Sequence, residues 1–184
     1  QKVSEALARY ERAWRYNPGG TPILADIVQL TLRLKRNDEA VRYAIIAAEN
    51  DHSDIERLRR IASLLRQQRQ FPRALKLYEV IASIQKEQPI DFSYIALQLE
   101  LGKLYFLTEQ PESSAKALSL VKTALQDPGK YNLTEQQKKQ LEGKNGATYL
   151  VIGESMLLAG KGAEAEAMFR EVNRIQPDAP LLAF

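Results

Sequence analysis

The sequence predicts an all-α fold, a solenoid of antiparallel helix pairs stacked head to tail. Three observations carry that prediction. The stretch Ala165–Pro177 sets a small residue at 165, an aromatic at Phe169, an apolar residue at Val172 and a proline at 177, and the chain opens on the same figure as Ala6, Tyr10, Ala13 and Pro18. Further copies begin at Ala40 and Ala74, and the steps from Ala6 to Ala40 and from Ala40 to Ala74 are 34 residues each. A fixed period of this length marks a stacked-repeat protein. Between the copies, apolar residues recur at helical spacing, and proline, glycine and Asn-Asp punctuate them.

The elements follow in order. Residues 3–16 read as one leading helix, with Val3, Ala6, Leu7, Tyr10, Ala13 and Trp14 on a stripe and Pro18-Gly19-Gly20 as the stop. Thr21 can cap the next helix, with Pro22 at its first position. That helix turns Leu24, Ile27, Val28 and Thr31 inward, and after Asn37-Asp38 its partner carries Ala40, Ala44 and Ala47, so a first pair spans about 21–50. Ser53-Asp54 opens a second pair over about 54–86, with Leu58, Ile61, Ala62 and Leu65 inward on one helix and Ala74, Tyr78 and Ile81 on the other.

The register then breaks. From Ala74 to Ser114 is 40 residues, six beyond the period. The surplus falls around 85–94, where Asp91 can cap a first helix extended by about a turn and a half. This third pair, about 91–126, carries Leu101, Gly102 and Tyr105, then Ser114, Leu118 and Val121. From Ser114 to Ala165 is 51 residues, and the excess is assigned to an insertion at 127–145, a polar loop whose Thr134–Leu141 segment is capped and helix-favouring. A fourth pair spans about 146–176, and after Pro177 the period predicts another helix near Pro180.

These figures resemble the tetratricopeptide repeat. Tyr149, Ile152, Gly153, Ala165, Phe169 and Pro177 match its pattern closely, Leu101, Gly102 and Tyr105 match in the preceding pair, and Ala6, Tyr10 and Pro18 match its second helix. Elsewhere Val28 and Ala62 stand where glycine is usual, and His52 and Lys86 replace proline. The resemblance implies a right-handed superhelix and one repeat domain over 1–184. The physical reason stands apart from the name. A glycine inside a helix costs about 1 kcal/mol against alanine, so Gly102 and Gly153 imply close approach of the paired helix.

Composition bounds the function. With 45% hydrophobic residues over 184 positions, the chain can bury a core. The 26 basic and 23 acidic residues leave a net charge of +3, too weak and too evenly spread to argue for nucleic acid. The absence of cysteine excludes disulfides and thiolate metal sites. No apolar run reaches the roughly 20 residues of a membrane-spanning helix. A soluble protein is expected, cytoplasmic or exported with a leader removed, since the chain starts at Gln1.

Catalytic chemistry finds little support. His52 is the lone histidine and falls where a helix ends, a position suited to the helix dipole. No second histidine completes a metal set, and the glycines form no phosphate loop or dinucleotide fingerprint. The expectation is a non-enzyme with no cofactor and no metal.

The resemblance implies that the first helix of each pair lines a concave groove where partner peptides bind. If Leu58, Ile61, Ala62 and Leu65 are packed, the neighbouring stripe is Arg59, Ser63 and Arg66. The corresponding stripes are Asp26, Gln29 and Arg33 one pair earlier, Leu99, Lys103 and Phe106 one pair later, and Leu150, Glu154 and Leu157 in the last. The groove is thus expected to be basic and polar in its first half, where Arg33, Arg59, Arg66 and Lys103 could meet a carboxylate or phosphate. Those charges equally suit a solvated surface. The apolar second half, at Leu99, Phe106, Leu150 and Leu157, implies a partner or a packed helix, the chain's own insertion included.

Some relatives of the repeat hold chaperone C-termini with a Lys, Asn and Arg clamp. Ala25 and Gln29 do not supply its Lys and Asn, and Arg59 with Arg60 does not rebuild it. Residues 9–16 interleave basic and aromatic side chains as single-strand binders do, but Tyr10 belongs to the repeat figure. The reading is therefore a scaffold presenting a groove to a peptide or helix, an acidic one included, of another protein. The alternatives are a nucleic-acid-binding solenoid and an assembly segment of a larger protein. Neither end carries an obvious capping face, so dimerisation through the ends, or excision from a longer array, is also expected.

Overall fold

The structure is a computed structural model that describes residues 2–18, 21–50, 54–86 and 88–177. His52, Ser53, Gly19-Gly20 and the further helix expected after Pro177 lie outside those residues, as does the Thr21 side chain. Among the described residues there are ten α-helices and no strand. They are α1 (Lys2–Tyr16), α2 (Thr21–Arg33), α3 (Asn37–Asn50), α4 (Ile55–Gln67), α5 (Phe71–Gln85), α6 (Phe92–Leu107), α7 (Pro111–Gln126), α8 (Glu135–Glu142), α9 (Ala147–Leu158) and α10 (Gly162–Ile175). The chain divides into two compact units, 1–86 and 87–184.

In the first unit α1 packs on α2, and α2/α3 and α4/α5 are the helix pairs. The stripe Leu24, Ile27, Val28 and Thr31 is fully buried, as are Ala40, Ala74 and Ile81, while Leu58, Ile61, Ala62 and Leu65 are at most 1% exposed. Thr31 is satisfied where it stands, because its hydroxyl donates to the Ile27 and Val28 carbonyls at 2.8 and 2.9 Å. Ties between successive elements are polar. The Tyr43 hydroxyl donates to Glu11 at 3.1 Å beside an edge-on Trp14–Tyr43 contact, and Arg73 donates to Asp38 at 2.6 Å.

In the second unit the pairs are α6/α7 and α9/α10, with α9 stacked on α7. The two helical glycines have the packing reason that their helix cost demands. A Cβ on Gly102 would stand 2.4 Å from Leu118 Cγ, and one on Gly153 would stand 2.5 Å from Phe169 Cε1. Both lie below any real Cβ contact, so a side chain at either position would force its neighbour to shift. Asp91 caps α6 by accepting the Tyr94 N–H at 2.8 Å. This helix holds 16 residues against 13 in α4, an extension of just under one turn where the sequence suggested one and a half.

Residues 127–146 form a short 3₁₀ turn (Pro128–Tyr131), then α8, then a second 3₁₀ turn (Lys144–Gly146). A capping box starts α8, with Thr134 and Gln137 exchanging side-chain and backbone bonds. Leu141, 1% exposed, joins the apolar cluster of this unit, and α8 touches α6, α7 and α9.

Every pair turns through one device. Lys35, Arg69, Glu109 and Gly160 have φ of 59, 57, 59 and 74°. The following N–H in each case reaches back five residues, from Arg36 to Thr31, Gln70 to Leu65, Gln110 to Tyr105 and Lys161 to Met156, at 2.8 to 2.9 Å. A left-handed residue thereby satisfies a carbonyl that the ending helix leaves open.

Candidate partner-binding groove

The first helices of the pairs in the first unit, α2 and α4, enclose a groove of about 420 Å³. Its polar lining is Asp26 and Gln29 from α2 with Arg60, Ser63 and Gln67 from α4. Ala25, Ile61 and Leu64 form the floor. Helical spacing produces this lining, since positions 60, 63, 64 and 67 share the face of α4 turned away from its buried stripe. Arg60 is exposed and forms no ion pair among the described residues.

Gln29 and Ser63 of the sequence-derived stripe line this groove. Arg33 is exposed on α2, one turn beyond Gln29, and is not among the lining residues. Arg59 and Arg66 do not line it. The Arg59 guanidinium donates to Gln85 of α5 at 2.8 Å and stands 3.7 Å from Glu56, and Arg66 is half-buried and engaged within the fold. Among the residues lining this hollow the cation is Arg60, and Gln67 stands next to Arg66 in the chain. The period held the signal. Asp26, Gln29 and Arg33 advanced by 34 give Arg60, Ser63 and Gln67, one residue round the helix from Arg59 and Arg66 at two of the three positions.

The same correction applies in the second unit. Leu99, expected on an open apolar strip, is 6% exposed and belongs to the core cluster. The physical reason is that α6 is buried on several sides, by α7 and by the inserted α8, so its leucines cannot be divided into packed and open stripes. Leu150 is half-buried against the same cluster, and Phe106 is half-buried. Leu157, 52% exposed, borders a hollow on the α9/α10 seam with Ala165 and Phe169. Advancing the α4 lining by the repeat steps gives Glu100, Lys103 and Leu107 on α6, and Val151, Glu154 and Leu158 on α9.

At those positions Lys103 stands 3.5 Å from Glu100, and Leu107 and Leu158 are 51% and 64% exposed. Glu154 is half-buried, and desolvation alone pushes its carboxyl above the usual range. Elsewhere in this unit, burial and then the neighbouring Glu142 carboxylate push Tyr149 up to about 12.

No grouping of three or more metal-type ligands occurs among the described residues, and no described helix is long and apolar enough to cross a membrane. No family model matches the sequence, and no curated protein matches it. Solved structures do. A crystal structure of the MamA protein superposes with a TM-score of 0.61 at 12% identity, covering 96% of this chain and 84% of that one. TPR-like repeats assigned to a kinesin light chain of Podosopora anserina superpose with a TM-score of 0.60 at 17% identity, covering 97% and 89%. At these identities the likeness speaks to architecture alone, and the architecture is the tetratricopeptide-type α-solenoid.

Proposed function

We propose that the chain is a non-catalytic scaffold whose α2/α4 groove holds a segment of a partner protein. The observation that carries this reading is the lining itself. The Gln29 and Gln67 amides and the Ser63 hydroxyl can both donate and accept, which suits the N–H and C=O groups of a bound peptide. Beneath them Ala25 and Leu64, both half-buried, offer apolar surface for one of its side chains. Arg60, with no ion pair among the described residues, can fork onto a carboxylate, so the favoured segment carries an acidic residue. The solenoid fold is compatible with such work but does not assign it.

Peptide display against the full chain tests the proposal. Selected peptides should share an acidic position, and Arg60→Glu should weaken them at least tenfold without lowering the melting temperature. Equal binding to the variant, or no selected peptide, would overturn the reading. Capture of single-stranded RNA that weakens steeply with salt would replace it with the nucleic-acid alternative.

A further inference from the structure

Helix α8 is seated on its neighbours by a narrow contact. Of its eight residues only Leu141 is buried, while Glu135, Gln136, Lys139 and Gln140 are exposed. Just before it, Tyr131 and Leu133 pack half-buried against the cluster that Leu141 enters. The Tyr149 hydroxyl donates to Glu142 at 3.4 Å, near the long limit of a hydrogen bond. Two helical turns fall well below the roughly 12–15 residues at which a helix is even marginal alone in water. Helix α8 therefore keeps its shape only while docked.

The repeat marks the place that α8 occupies. In the first unit, α2 contributes Ala25, Asp26 and Gln29 to an open hollow. The repeat steps of 34 and 40 residues carry these positions to Leu99, Glu100 and Lys103 of α6. Ala25 is half-buried and lines its hollow, whereas Leu99 is 6% exposed in the cluster that includes Leu141. Ala96 of α6 and Leu150 of α9 pack against that cluster too, and α8 touches both helices.

We propose that α8 is a latch, a built-in occupant that closes this end of the α6/α9 groove and opens by local unfolding while the helix pairs stay intact. Its two sides suit that task. Leucine faces the apolar floor, and glutamine and lysine face water. Opening gives up one fully buried side chain of α8, while α6/α7, α9/α10 and the stacking of α9 on α7 are direct contacts that persist without it. Tethered at both ends, α8 has a local concentration that a free segment of its own kind does not match. The groove therefore admits another short helix, with leucines placed as Leu133 and Leu141, only when the latch is out.

Hydrogen exchange on the full chain reads the opening directly. Amides 138–142 should exchange at least a hundredfold faster than those in the middle of α6, α7 and α9. Matched rates would show that α8 opens only with the whole unit, and would overturn the latch.

A labelled peptide copying Tyr131–Gly143 reads the groove beneath. Lys139→Pro breaks α8 at an exposed position and leaves every buried side chain in place. That variant should bind the peptide one to one and at least tenfold more tightly than the parent chain does, followed by fluorescence anisotropy. A peptide carrying Leu141→Asp should not bind it. Absence of binding to the variant would overturn the proposal. So would equal binding to both chains, which would place the peptide elsewhere, the α2/α4 groove included.

Discussion

The hydroxyls of Ser114 and Ser155 stand 2.8 Å apart with both residues fully buried, and they join α7 to α9. Ser114 also donates to the Gly102 carbonyl at 2.7 Å. Its single proton is thereby used, so Ser155 is the donor of the serine pair. One small polar contact thus connects both helices of one pair to the first helix of the next.

Ser155→Ala leaves the Ser114–Gly102 bond in place and should cost about 1 kcal/mol. Ser114→Ala installs the residue found at Ala40, Ala74 and Ala165. It strands the Ser155 hydroxyl in the core, however, and should cost about 1–3 kcal/mol. The double variant should lie well short of the sum, with coupling of about 0.5–1.5 kcal/mol in denaturant unfolding. Strict additivity would show that the two hydroxyls act independently.

The four pair turns offer a second measurement. Lys35, Arg69 and Glu109 occupy the left-handed region at φ of 57 to 59°, where Gly160 is the natural occupant. A side chain there costs about 1–2 kcal/mol, offset in part by the greater freedom that glycine gives the unfolded chain. Each of Lys35→Gly, Arg69→Gly and Glu109→Gly should therefore be neutral or stabilising by up to about 1 kcal/mol. Gly160→Lys should lose a similar amount, although no atom crowds the position. A loss of stability in all three glycine variants would contradict the argument.

Those turns also show where sequence reading stopped. The packed stripes were legible because burial imposes a period, and Leu24, Ile27 and Val28 are at 0% exposure as their spacing requires. The caps at Asp54, Asp91 and Thr134 were legible because short polar side chains there bond local N–H groups. A left-handed Lys, Arg or Glu has no such mark. The stripe expected from the sequence and the lining of the α2/α4 hollow differ by one residue because the residues on either side of the α4 stripe are polar. Only the neighbours, α5 beside Arg59 and α2 beside Arg60, distinguish them. Leu99 was misplaced because the cover of its helix includes α8, some forty residues away in sequence.

Gly102 and Gly153 should respond differently to alanine despite equivalent positions. Alanine gains about 1 kcal/mol of helix propensity in both. Against that, the added Cβ at 102 meets Leu118 near the branch point, with Cγ at 2.4 Å and Cδ2 at 2.5 Å, in a fully buried side chain that cannot withdraw. At 153 the nearest atoms are Cε1, Cδ1 and Cζ, one edge of the Phe169 ring at 2.5 to 3.0 Å, and that side chain is only half-buried and turns about two torsions. Overpacking costs about 1–3 kcal/mol, so Gly102→Ala should destabilise, whereas Gly153→Ala should be close to neutral in thermal unfolding. Equal losses at both sites would mean that Phe169 is as fixed as Leu118.

Glu154 carries the pH prediction. Desolvation raises its carboxyl in the folded chain, and no cation among the described residues offsets the shift. A carboxyl whose folded pKa exceeds its unfolded value favours the fold in its protonated form. That contribution is fully present below the unfolded value of about 4.3 and is lost as pH rises through the folded value. Glutamine at 154 keeps the shape without the charge. Glu154→Gln should therefore melt above the parent chain at pH 8, with the difference shrinking steadily as the pH falls toward 4. A parallel pair of melting profiles, or a gap that widens in acid, would mean that the carboxylate is better solvated or better paired than its surroundings imply. A basic peptide that closes the gap at pH 8, by raising the melting point of the parent chain alone, would mark Glu154 as a cation contact for a bound partner.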